Sequence, residues 1–115
     1  MIKRAQDCST KYNENMRGGN GIVAITDLAT PAELNEKGRL FAKITFNPGC
    51  GIGYHTHEGK SELFYVISGT GQYSDNGETV TVTAGDVTVC PAGTGHSICN
   101  NGEEPLEVIA VILHA

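Results

Sequence analysis

The chain has no tryptophan, only two methionines, and only eight lysines and arginines against thirteen aspartates and glutamates. A net charge of −5 leaves no basic field to attract a nucleic-acid backbone or an anionic membrane, so neither is expected as a partner. No apolar run reaches membrane-spanning length, and the opening MIKRAQDCSTKYNENMRGG has some positive charge but no apolar stretch behind it to act as a secretory signal. A soluble, cytoplasmic protein is therefore expected. Cys8, Cys50, Cys90 and Cys99 form no CxxC pair, and without secretory context they are expected as reduced thiols that pack as small apolar residues. Long helical patterns are scarce as well.

What is present is glycine, fifteen residues of it, and short alternating runs. A chain of 115 residues is the size of one domain and buries roughly two-thirds of its unfolded surface. Residues 1–20 read as an N-terminal arm ending in the flexible loop RGGNG, which lacks the lysine of a phosphate-binding loop. Residues 21–115 read as a single β domain. Its strands are GIVAITDL, RLFAKITF, GYHTH, ELFYVIS, two strands flanking the hairpin dipeptide Asn76-Gly77, VTVC, HSICN and the apolar run LEVIAVILHA. One helical turn is expected over TPAELNEKG, with Thr30 as cap, Pro31 at its first position and Gly38 closing it. Eight or nine short strands with no room for crossover helices imply an all-β fold, an antiparallel sandwich or closed barrel.

Side chains alternate along a strand, so His55 and His57 point the same way and two imidazoles can reach one ion. Glu62 opens the next apolar strand, which is expected to run back beside the histidine strand and set its carboxylate opposite the imidazoles. An isolated charge there is costly, and a cation neutralises it. His96 follows the turn CPAGTG and supplies a third nitrogen. Three imidazoles and one carboxylate suit one divalent transition metal, Mn, Fe, Co, Ni or Zn, with open positions for a ligand.

Those residues stand in two patterned stretches. In GCGIGYHTHEGKSELFYVISG, Gly49, His55, His57, Glu62 and Gly69 match the first motif of the cupin superfamily, G(X)5HXH(X)4E(X)6G. In GDVTVCPAGTGHSICN, Gly85, Pro91, Gly93, His96 and Asn100 match the second, G(X)5PXG(X)2H(X)3N. The chain thus resembles a small single-domain cupin. The resemblance implies a double-sheet jelly-roll barrel with His55, His57, Glu62 and His96 holding a metal inside, and a homodimer. Asn100 is expected to hold a turn or to support a ligand.

Other residues carry weaker readings. His114 and Glu58 are expected in solvent. Tyr54, Tyr65 and Tyr73 are expected to pack, although any of them would place a phenol near the metal if it faced inward. Arg17, Arg39 and Lys43 are the cations available to an anionic substrate. Lys43 contacts it only if the polar face of RLFAKITF looks into the barrel, and the surface alternative is favoured.

The implied function is that of a metal-dependent enzyme acting on a small oxygen-rich molecule, by decarboxylation, oxidation or dioxygenation of an organic acid or diketone. The alternative is a non-catalytic metal-containing module that binds a sugar or organic acid. The sequence identifies no proton-transfer residue.

Overall fold

The computed structural model describes residues 1–115 and contains ten strands with no α-helix. The strands are β1 (Thr10–Glu14), β2 (Ile22–Ala29), β3 (Gly38–Phe46), β4 (Gly51–Thr56), β5 (Lys60–Ser68), β6 (Thr70–Asp75), β7 (Glu78–Thr83), β8 (Val87–Cys90), β9 (Gly95–Cys99) and β10 (Leu106–His114). They build two antiparallel sheets, one ordered β1-β2-β3-β10-β5-β8 and the other β4-β9-β6-β7. The expected two-sheet jelly roll is the fold observed. No helix is long and apolar enough to cross a membrane.

Period-2 alternation explains the core. On β3, Ala42, Ile44 and Phe46 are buried, and on β10 Leu106, Val108, Ala110 and Ile112 are buried beside them. Phe64, Val66, Tyr73 and Ile98 complete much of the space between the sheets. The apolar face of β3 therefore looks inward. Lys43 lies on the outer face, 3.6 Å from Glu107, which settles its role as a surface lysine.

The hairpin between β6 and β7 turns on Asn76 and Gly77, at φ 51° and 96°, as that dipeptide favours. The helical turn expected at Thr30 does not extend into a helix. Its cap forms: the Glu33 amide donates to Thr30 Oγ1 at 3.1 Å, and the Thr30 amide donates to Glu33 Oε1 at 2.9 Å. Asn35 and Glu36 then turn left-handed, each at φ 56°, and the chain enters β3 through Gly38.

The first twenty residues, read as an arm, contribute a strand. β1 pairs antiparallel with β2 from Thr10↔Thr26 to Glu14↔Ile22. Four of its five residues are exposed, so TKYNE carries no apolar alternation from which a strand is legible. The RGGNG segment is fixed as well. Met16–Gly18 form a 3-10 turn laid on β4, where a side chain on Gly53 would collide with the Arg17 carbonyl.

Asn100 clamps the loop before β10. Its Nδ2 donates to the carbonyls of Phe46 at 2.9 Å and Glu104 at 2.7 Å, while its Oδ1 accepts from the Gly102 amide at 2.9 Å. The residue is only 1% exposed, so Asn100→Ala strands a buried carbonyl and is expected to cost about 2–3 kcal/mol. A denaturant midpoint unchanged from the parent protein contradicts that role.

Candidate metal centre

β4 and β9 are neighbours, and their register sets His55 directly opposite His96. His57 follows one residue beyond the end of β4, with its side chain on the same inward face. Glu62 arrives by a different route from the one its sequence position suggests. Its strand does not pair with the histidine strand: β5 lies in the other sheet, where Glu62 is paired with Cys90 and Ile112. The loop after β4 crosses the sandwich, so the carboxylate meets the imidazoles face to face from the opposite layer.

Four donor atoms converge. His57 Nε2 lies 2.9 Å from Glu62 Oε1, 3.0 Å from His96 Nε2 and 3.1 Å from His55 Nε2. His96 Nε2 is 3.0 Å from Glu62 Oε1, and His55 Nε2 is 4.0 Å from it. For metal–donor bonds of about 2.1 Å, donors at right angles stand about 3.0 Å apart and opposite donors about 4.2 Å apart. The four short separations are those of donors standing side by side around one point, with His55 Nε2 further from Glu62. Three imidazole nitrogens and one carboxylate oxygen gathered in this way would suit a single divalent transition metal.

The surroundings prepare the rings as ligands. His55 Nδ1 lies 2.8 Å from the Gly53 carbonyl, which can only accept, so Nδ1 carries the proton and the inward Nε2 of the neutral ring is a lone pair. His96 Nδ1 bonds the Tyr73 hydroxyl at 2.8 Å, and Phe64 stacks on the ring at a centroid distance of 5.2 Å. Burial, reinforced by the neighbouring rings of His55 and His96, holds the His57 pKa below its ordinary 6.5 against the pull of Glu62. Burial acts to raise the Glu62 carboxyl, but the hydrogen bonding and positive potential of the surrounding histidines, His57 and His96 nearest among them, outweigh it and bring it to about 2. The result is an ionised acid beside a neutral His57 at pH 7.

The site opens into a cavity of about 160 Å³ between the sheets. Leu40, Ile44, Ile52 and Ile112 form apolar walls, while Asn13, Met16, Arg17 and Arg39 come from the N-terminal segment and the start of β3. Asn13 Nδ2 reaches Met16 Sδ at 3.6 Å, tying that segment together.

Of the other residues singled out from the sequence, Tyr73 touches the site, whereas Tyr54 and Tyr65 are half exposed. Burial pushes the Tyr73 phenol up to about 12, which keeps it a neutral hydrogen-bonding partner. His114 is exposed at the end of β10, and Glu58 is exposed in the loop after His57. The cysteines are free; burial raises the Cys90 thiol, consistent with an inert packed side chain. The contribution of Asn13 and Met16 to the cavity was not legible in the sequence, because it depends on β1 joining the sheet.

The cupin-domain family model matches residues 42–112, which contain all four donors. An "Oxalate-binding protein" from Thermotoga maritima is 40% identical over 113 residues, covering 98% of this chain and 93% of its own length. A crystal structure from the same organism, described as a predicted oxalate decarboxylase, superimposes with a TM-score of 0.96 at 39% identity over the whole of both chains. A mannose-1-phosphate guanylyltransferase from Klebsiella pneumoniae shares 35% identity over 69 residues, 60% of this chain but only 15% of that enzyme. The two-sheet architecture, the ten motif positions and the match over residues 42–112 agree: the chain belongs to the cupin family.

Proposed function

We propose that the chain binds one divalent transition metal through His55, His57, Glu62 and His96, and uses it to hold a small carboxylate of the oxalate class. The observation that carries this reading is the convergence of three imidazoles and one ionised carboxylate on a small cavity with apolar walls. The near-full-length similarity to an oxalate-binding protein supports the ligand class. The cavity volume lies below the roughly 300–1,000 Å³ of sites that enclose drug-sized molecules. It suits a short acid.

Three neutral rings and one carboxylate sum to −1, so a bound dication leaves the centre at +1, attractive to an anion. When bound, the metal supplies a Lewis acid for carboxylate oxygens. The chain's own residues orient the rings through Gly53 and Tyr73, and the apolar walls restrict water. Inside the cavity the only carboxylate is Glu62, itself a metal donor. That favours binding over a reaction needing a separate carboxylic acid to deliver a proton.

Decarboxylation or oxidation of the bound acid is the second reading, favoured by Glu58, whose position at the cavity mouth offers a carboxylate outside the metal donors. Calorimetry of oxalate with manganese-, iron-, cobalt-, nickel- and zinc-loaded protein, alongside assays for carbon dioxide and peroxide, separates the readings. Saturable one-to-one binding without turnover supports the module. Turnover lost in Glu58→Gln supports the enzyme, and absence of both binding and turnover overturns the carboxylate reading.

Tyr73→Phe keeps the packed ring but removes the bond to His96 Nδ1. Metal affinity is expected to fall about 10–100-fold with the fold intact, measured by competition with a chromophoric chelator. An unchanged affinity contradicts the orienting role of the hydroxyl.

Protons compete with the metal for imidazole lone pairs. The lowered pKa of His57 means that its neutral form is the one favoured by folding. This contribution to metal-free stability is fully present above its ordinary 6.5 and is lost as pH falls toward the lower folded value. Metal occupancy is likewise expected to fall on acidification through the histidine range, with equilibrium dialysis as the check. Occupancy independent of pH down to about 4.5 contradicts imidazole ligation.

We also infer a homodimer. The outer face of the six-stranded sheet presents Tyr65, Ile67, Val87 and Val89, between 41% and 59% exposed, next to one another on β5 and β8. Covering such a patch with its copy follows the self-complementary logic of two-fold dimers.

A further inference from the structure

The chain is acidic overall, yet its cations gather at one place. Lys11, Arg17 and Arg39 line the metal cavity, and a hollow of about 230 Å³ at its mouth shares Arg17, Arg39 and His57 with it and adds Lys60. Four of the chain's eight lysines and arginines thus stand around this opening, against two of its thirteen acids, Glu58 and Glu62. Lys3 and Lys43, by contrast, are paired with Glu33 and Glu107 on the outer surface. Neither Arg17 nor Arg39 makes an ion pair.

The position of Arg17 is enforced by the backbone. It sits in a left-handed conformation, φ 54° and ψ 29°, that non-glycine residues seldom adopt. Its carbonyl rests against Gly53, at a distance that leaves no space for a Cβ there. Gly53 is the same residue whose carbonyl accepts the His55 Nδ1 proton. One short segment of β4 therefore indexes both a metal donor and the arginine-bearing turn. Arg39 enters from the opposite sheet at the start of β3, next to Leu40, whose strand partner Ile112 also lines the cavity.

We propose that Arg17 and Arg39 form an anion clamp at the cavity mouth that holds the second charged group of a dianionic ligand and selects dicarboxylates over monocarboxylates. The clamp rests on the carboxylate-binding reading above. A guanidinium presents parallel N–H donors that match the two oxygens of a carboxylate, a geometry a lysine does not reproduce. One carboxylate at the metal centre satisfies its +1 charge, and the two arginines give the second a favourable partner that a monocarboxylate leaves unused. Lys11 and Lys60 add to the local positive potential that draws the dianion in.

The test measures oxalate and formate binding by calorimetry to metal-loaded wild-type, Arg17→Gln, Arg39→Gln and double-variant protein, with metal content determined on the same samples. Each single substitution is expected to weaken oxalate about tenfold or more, to leave formate within about threefold, and to leave metal content and circular dichroism unchanged. The double variant is expected to lose most of the preference for oxalate. Lys43→Gln, on the outer face, serves as a control that retains wild-type affinity. Oxalate binding at wild-type strength in the metal-replete double variant overturns the clamp alone. A parallel loss of formate and oxalate, or loss of metal from the variants, overturns it too, because the effect then runs through the centre. Wild-type protein that is fully metal-loaded but binds neither acid overturns the carboxylate reading, and the clamp with it.

Discussion

His96→Ala is expected to abolish stoichiometric metal binding. His96 is 1% exposed, and its Nε2 lies 3.0 Å from both His57 Nε2 and Glu62 Oε1, so it is a buried member of the donor set. Alanine removes a whole ligand and leaves a void that neighbouring residues have no means of filling with another nitrogen. Changes to groups that merely support a ligand already cost about 10–100-fold in affinity, and loss of the ligand itself is expected to exceed that range. Elemental analysis of untagged protein checks the point: about one ion per chain for wild type and under a tenth for the variant. Occupancy above one half in the variant contradicts the assignment. The metal-free variant loses packing and one of the hydrogen-bond partners of Glu62, but His57 stays 2.9 Å from that carboxylate, and the variant is expected to be less stable than the parent yet folded.

Phe64→Ala has the largest effect expected on stability. Phe64 is 2% exposed, stacks on His96 with an interplanar angle of 14° and meets Tyr73 edge-on at 84°. It fills the gap between the β5 layer and the β9–β6 layer, where removal of the ring leaves a cavity lined by groups fixed in two sheets. Such truncations cost about 3–5 kcal/mol, a large share of the roughly 5–15 kcal/mol by which domains are stable. Urea unfolding of the metal-free protein provides the measurement. Phe64→Leu, which keeps most of the volume, is expected to lose less than half as much. A cost below about 1 kcal/mol for Phe64→Ala contradicts the packing role. Metal affinity is expected to fall alongside stability, since the ring that braces His96 is gone.

Much of this arrangement was readable from residue order. The alternation of Ala42, Ile44 and Phe46 with Lys43 and Thr45 separates β3 into an apolar and a polar face without saying which looks inward, and the structure turns the apolar one into the core. His55 and His57 share a face because they are two residues apart on an extended chain, which is a local property. Glu62 was harder: its place beside the histidines was legible, but its path there was not. A five-residue separation permits either a hairpin partner or a crossing between layers, and the sheet order depends on long-range pairing of β5 with β10 and β8. The crossing places its carboxylate across the cavity from the imidazoles.

The N-terminal strand escaped for a related reason. Thr10–Glu14 owes its place to backbone pairing with β2 and leaves its side chains mostly exposed, so hydrophobic periodicity carries no signal there. The expected helix at Thr30 failed at its end instead of its start. The cap is present, but Asn35 and Glu36 take left-handed conformations after a single turn, and nothing apolar repeats at helical spacing to prolong it. Tyr73 differs from Tyr54 and Tyr65 through the face its strand presents, which is settled only once β6 is paired with β9. That register brings its hydroxyl to His96.

Anomalous X-ray diffraction from crystals of the untagged protein, collected on both sides of the absorption edge of the metal found by elemental analysis, tests the central claim most directly. A single difference peak per chain within about 2.0–2.3 Å of His55 Nε2, His57 Nε2, Glu62 and His96 Nε2 is the predicted result. A metal-loaded crystal with the peak elsewhere, or with any of the four side chains turned away from it, contradicts the account.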